Sequence, residues 1–166
     1  MSKLDHITLP ARRSLLKRTA GIGALCLLGG RATPVLSQQS VTIGAVGVKF
    51  DPLFVFIEPG DTVNWQGMAG HNVESIDQMV PEGQEKFNTT LGEDVSIVFN
   101  TPGIVMYKCT PHWGTRMGGG IVVGKPEDAL AIVEGYTAAI ESDRGMLLPA
   151  KGLLKKLSKE IQGKGW

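Results

Sequence analysis

The chain has 166 residues, 42% of them hydrophobic and 20% charged, which is an ordinary composition for a soluble domain with a real core. Its formal net charge of +1 excludes the strongly basic surface of a nucleic-acid binder. That balance is uneven: residues 1–37 hold six Lys/Arg and one Asp, and the rest holds eleven Lys/Arg and fifteen Asp/Glu, so a basic leader precedes a domain of net charge −4.

The leader has the order of a bacterial export signal. Arg12-Arg13-Ser14-Leu15-Leu16-Lys17 is followed by an apolar, Gly-rich run from about Ala20 to Gly30, too short for a folded membrane anchor. The Arg-Arg-x-Leu-Leu-Lys pattern resembles a twin-arginine signal. A cut near Ser37 is expected, because Val35 and Ser37 are small enough to precede it. The competing reading is a basic amphipathic helix that stays attached. A lipoprotein cut at Cys26 is disfavoured by Leu25 before it. Three segments are therefore expected: a cleaved signal at 1–37, a β-sandwich at 38–124, and a helical extension of the same domain at 125–166. Cleavage implies a periplasmic protein without membrane insertion. It also removes His6 and Cys26, leaving His71, His112 and the single Cys109. A lone cysteine in an oxidising compartment has no disulfide partner.

Val41 to Val123 reads as β structure. Val41–Val46 and Leu53–Glu58 are short β-rich runs, and Glu58-Pro59-Gly60-Asp61 is a turn. In Thr62–Trp65 the alternation puts Val63 and Trp65 on one face. Val73–Ile76 is a further candidate, Val95–Phe99 is the clearest strand, and Thr101-Pro102-Gly103 turns it into Ile104–Lys108. Gly120–Val123 closes the series. Seven to eight short strands joined by Gly/Pro turns predict an all-β, Greek-key sandwich. The tail then predicts two helices. Pro126 is expected as the first residue of one, with Glu127 and Asp128 in its first turn. The other runs from about Ala150 to Gln162, with Leu153, Leu154, Leu157 and Ile161 as an apolar stripe and Lys155, Lys156, Lys159 and Glu160 as a solvated face.

The chemistry concentrates in Cys109-Thr110-Pro111-His112-Trp113-Gly114-Thr115-Arg116-Met117, a Cys-x2-His-x4-Met spacing after a predicted strand. His71 lies 38 residues upstream, in Gly70-His71-Asn72-Val73. Taken singly, a Cys or Met is more often a packing residue. Taken together, both histidines and the only cysteine of the exported domain fall with a Met in a pattern that supplies two imidazoles, a thiolate and a weak axial thioether. That donor set suits a blue, type 1 copper ion. Zinc is the chemical rival, but its structural sites use four Cys/His ligands and three exist here.

The chain resembles the plastocyanin/azurin (cupredoxin) family, and within it the pseudoazurins. The stretches that carry this are Glu58-Pro59-Gly60-Asp61-Thr62-Val63, Gly70-His71-Asn72-Val73-Glu74-Ser75-Ile76, Met79-Val80-Pro81-Glu82-Gly83, Thr101-Pro102-Gly103-Ile104, and Lys108-Cys109-Thr110-Pro111-His112. The Gly124-Lys125-Pro126 entry into a helical tail favours pseudoazurin over plastocyanin. The resemblance implies His71, Cys109 and His112 as equatorial ligands and Met117 as the axial one. It implies an Asn72 amide donating to the Cys109 sulfur, with Pro111 lacking the N–H of a second donor. It also implies electron transfer through the edge of His112, with an apolar docking patch of Pro111, Trp113 and Met68; packing beneath the loop is the other reading of Trp113. Departures exist: Gly67-Met68-Ala69-Gly70 is small and apolar, and the domain is acidic where pseudoazurins carry many lysines near the metal.

The expected function is a monomeric electron carrier. It takes an electron from a cytochrome or dehydrogenase and passes it to a reductase or oxidase. A copper carrier or buffer is the alternative, although no Met- or His-rich tract supports it. An enzyme with a second copper centre needs histidines beyond the two available.

Overall fold

The computed structural model describes residues 37–143 and 145–166. The expected leader, with His6 and Cys26, lies outside the described residues.

Eight strands form two four-stranded sheets. The first sheet holds β1 (Ser40–Val46), β2 (Lys49–Asp51), β4 (Asp61–Gln66) and β6 (Val95–Phe99), in the order β2-β1-β4-β6. The second holds β3 (Phe54–Ile57), β5 (Glu74–Ser75), β7 (Gly103–Lys108) and β8 (Gly118–Val123), in the order β3-β8-β7-β5. Both sheets are mixed, because β1 runs parallel to β4 and β3 parallel to β8. The alternation expected for Thr62–Trp65 holds: Val63 and Trp65 are both fully buried. Trp65 sits among Phe87, Phe99 and Tyr107, with ring centroids 6.1, 6.3 and 5.3 Å away. This aromatic cluster between the sheets is the first core, and it also contains Cys109 and Met117.

Asp61 fixes the chain at the far end. Its buried carboxylate accepts the amides of Gln39 (2.8 Å) and Glu58 (2.9 Å), which clamps the start of β1 onto the Glu58–Asp61 turn.

Several expectations are corrected. β2 is a strand not anticipated from sequence; it pairs with β1 across a tight turn in which Gly47 has φ 57°. β5 covers only Glu74–Ser75 of the expected Val73–Ile76. Helix α1 (Ala129–Ser142) starts three residues after Pro126, with Asp128 at its cap rather than inside its first turn. The chain leaves β8 through left-handed Gly124 (φ 65°) and must turn before Ala129 can bury. Helix α2 (Ala150–Gly163) matches expectation, and Leu153, Leu154, Leu157 and Ile161 are all buried.

The two helices cover the outer face of the second sheet. Phe54, Ile104, Met106 and Val122 join Val133, Ile140, Leu154 and Leu157 in a second core. The Gly118-Gly119-Gly120 run in β8 permits this close packing. A Cβ on Gly118 would meet the Tyr107 carbonyl at 2.6 Å and both Leu153 and Trp113 at 3.0 Å, so no side chain fits there.

Candidate metal centre

The 38-residue gap between His71 and Cys109 is closed by a strand pairing. Glu74 faces Lys108 and Ser75 faces Tyr107 across β5 and β7. Lys108 also makes an ion pair with Glu74, 3.3 Å between Nζ and Oε1. The turn before β5 thus lies beside the end of β7, where Cys109 follows.

His71 is fixed through its own backbone. Its N–H donates to the Met68 carbonyl and its carbonyl accepts the Gly92 amide, both at 2.8 Å. The left-handed glycines Gly67 (φ 70°) and Gly70 (φ 79°) make this turn possible. The next residue, Asn72, is buried, and its carboxamide binds the cysteine loop. Oδ1 accepts the Thr110 amide at 2.8 Å, and Nδ2 donates to Thr110 Oγ1 at 3.0 Å and to Asn88 Oδ1 at 3.2 Å.

The cysteine loop closes on itself. Cys109 N–H donates to the Met117 carbonyl at 2.9 Å, and Met117 N–H donates to the His112 carbonyl at 3.2 Å. Between them Thr110–Thr115 forms a 3-10 turn that ends at left-handed Arg116 (φ 65°). Both Cys109 and Met117 are buried in the first core, while His71 and His112 are half-buried at its edge.

These constraints bring the donors together. The Cys109 Sγ lies 3.7 Å from His71 Nδ1 and 3.4 Å from His112 Nδ1. Among the described residues, His71, Cys109 and His112 form the one cluster with metal-binding character, its ligand atoms all within 4.8 Å of one another. Nitrogen and sulfur donors about 2.0–2.3 Å from one centre, spread trigonally, stand roughly 3.6–3.8 Å apart. The two sulfur–nitrogen separations, 3.7 and 3.4 Å, lie close to that spacing. A soft thiolate, two imidazoles and a buried thioether are the donor set of a type 1 copper ion. His71 has its pKa lowered by burial first and by the neighbouring His112 second. Its ring therefore stays neutral, with a lone pair for metal, to lower pH than an ordinary histidine.

The expected surroundings fare unevenly. Asn72 contacts the loop through its side chain, and the amide-to-sulfur bond expected of it is not among its contacts. Pro111 is exposed in the 3-10 turn, beside His112. Met68 is corrected: it is fully buried, its amide bonded to Asp94 Oδ1 at 3.0 Å, because the turn between Gly67 and Gly70 tucks it inward. It offers no surface to a partner. Trp113 is half-buried; its ring packs against the second core, and Nε1 donates to the Met146 carbonyl at 2.7 Å. No local pattern marks that link or the Asn72–Thr110 bridge, since each joins residues more than thirty positions apart.

Known proteins match the same residues. The family of copper-binding proteins described as plastocyanin/azurin matches residues 37–124. A pseudoazurin of Paracoccus pantotrophus is 40% identical over 118 residues, 70% of this chain and 81% of that one. The pseudoazurin crystal structure from Methylobacterium extorquens AM1 superposes with a TM-score of 0.62 at 27% identity, covering 74% of this chain and 98% of that one. A pseudoazurin structure from a Sinorhizobium superposes with a TM-score of 0.57 at 26% identity, over 72% and 97% of the two chains.

Proposed function

Because the chain belongs to the plastocyanin/azurin family of copper-binding proteins and is a pseudoazurin-like blue copper protein, we propose that it is a periplasmic carrier of single electrons between redox proteins, and not an enzyme. The observation that carries this reading is the convergence of Cys109 Sγ with the Nδ1 atoms of His71 and His112, at 3.7 and 3.4 Å. In this reading His71, Cys109 and His112 are the equatorial ligands and Met117 is the axial one. Copper bound there supplies a Cu(II)/Cu(I) couple.

The protein's part is to hold the donors still. Cys109 and Met117 are locked by their mutual backbone bond, His71 by Met68 and Gly92, and the two halves by Asn72. A donor set that suits both oxidation states and cannot rearrange keeps reorganisation small. The thiolate and thioether are buried and sheltered from water, whereas His112 is half-buried beside exposed Pro111. That edge is the proposed route for the electron, with Pro111 in the contact surface. Trp113 serves chiefly as a prop beneath the loop. The proposed partners are a cytochrome or dehydrogenase donor and a reductase or oxidase acceptor. The carrier works as a monomer, because transient exchange favours small, brief contacts.

Residues 1–37 act in this reading as a cleaved twin-arginine leader. No helix of the described residues is long and apolar enough to cross a membrane. Cell fractionation with sequencing of the mature N-terminus tests the location. The reading expects a periplasmic product starting near residue 38, and its loss when Arg12 and Arg13 are both replaced by Lys. Voltammetry of that product tests the activity: a reversible one-electron wave supports the carrier, and copper binding without such a wave contradicts it.

A further inference from the structure

A cavity of about 330 Å³ opens beside the Arg116–Gly118 segment, between the β1–β2 hairpin and the start of α2. Lys49, Arg116 and Lys156 line it, around apolar surface from Phe50, Leu53 and Leu153. No carboxylate lines it. Among the described residues none of these three cations takes part in an ion pair. Three like charges around one cavity repel each other and gain from an anion between them.

Their setting sharpens the point. Residues 38–166 are acidic as a whole, yet residues 150–166 carry five lysines and one glutamate. Lys156 is the member of that group that turns to the cavity shared with Lys49 and Arg116. Gly152 lines the same cavity. It lies in the first turn of α2, and a Cβ there would meet no atom within 4 Å. Neither packing nor backbone conformation asks for glycine at this place, and glycine weakens a helix. What its missing side chain does is leave the cavity wall open.

We propose that this cavity is a binding site for a small amphipathic anion, a carboxylate or sulfonate on a short apolar body. The head group lies among Lys49, Arg116 and Lys156, and the body rests on Phe50, Leu53 and Leu153. Cavities of this size with an apolar floor and a few convergent polar groups are the usual form of a small-molecule site. A bare inorganic anion is not the preferred ligand, because most of the wall is hydrocarbon and is covered only by an apolar body.

Isothermal calorimetry on the copper-loaded protein tests this with octanoate as the probe. One saturable site is expected. Acetate, which has the charge alone, and 1-octanol, which has the body alone, should each bind at least about tenfold more weakly. Lys156→Glu and Gly152→Leu should each weaken octanoate by about tenfold or more, the first by reversing charge and the second by filling the space. Lys86→Glu changes charge equally, outside the cavity, and should leave binding unchanged. Thermal melts confirm that Gly152→Leu folds, as the open space around its Cβ implies. No saturable binding of octanoate, or binding indifferent to both cavity variants, would overturn the proposal. So would retention on phosphatidylglycerol vesicles without octanoate binding, which would assign the cations to a lipid surface. The readout does not involve the metal, so failure here leaves the electron-carrier reading standing.

Discussion

The sandwich and the helical extension solve different problems with the same kind of core. The sandwich packs aromatic side chains between its sheets and places Cys109 and Met117 at the edge of that cluster. The extension packs aliphatic side chains against the outside of the second sheet and contains none of the four proposed ligands. They meet at the loop: Trp113 reaches from between His112 and Met117 to the Met146 carbonyl and the second core. The difference teaches that ligand identity and loop support are separable. One region supplies the donors, and the other holds one side of the loop that carries three of them.

That separation can be broken from either side. Leu157→Ala removes a fully buried side chain of the extension and should cost about 2–5 kcal/mol in denaturant unfolding. The visible copper spectrum should keep its position. A lost or shifted band would show that the two regions are one functional unit.

Asn72→Ala attacks the sandwich side. It leaves the Thr110 amide without its acceptor and should cost about 1–3 kcal/mol. Unlike Leu157→Ala, it should also weaken copper, by about 10–100-fold in a competitive chelator titration. Unchanged affinity would mean that the cysteine loop holds its shape without the bridge.

Trp113→Phe tests the junction itself. It keeps an aromatic ring against Gly118 and Leu153 but deletes the hydrogen bond to Met146, worth about 1 kcal/mol. A loss near zero in chemical denaturation would mean that the extension does not brace the loop. Pro111→Ala is the mildest change. It restores an N–H near the thiolate, and a donor there draws electron density from sulfur and favours the reduced state. Redox titration should show a higher potential, and an unchanged or lower one would sink that reading.

What the sequence made legible follows from the range of each interaction. Val63 and Trp65, two residues apart, and the Leu153–Ile161 stripe announce themselves by period, and both are buried as expected. The donor set was legible because its residue types are few and its spacing is short. Three-residue β2 has no period to read, and its pairing depends on the Gly47 turn. The start of α1 was set by how the chain leaves β8, which Pro126 alone does not encode. Met68 reads as surface because it sits in a small-residue loop, yet it is buried by the way that loop folds over Asp94. Asn72 and Trp113 gained their roles from partners distant in sequence, and no local pattern marks such pairs.

The most direct test of the central claim is the visible absorption spectrum of residues 38–166 after addition of Cu(II). Convergence of the Cys109 sulfur with two imidazole nitrogens predicts an intense blue band that bleaches with ascorbate, returns with an oxidant, and is absent in Cys109→Ser. Bound copper without that band, or a band that survives Cys109→Ser, would contradict it.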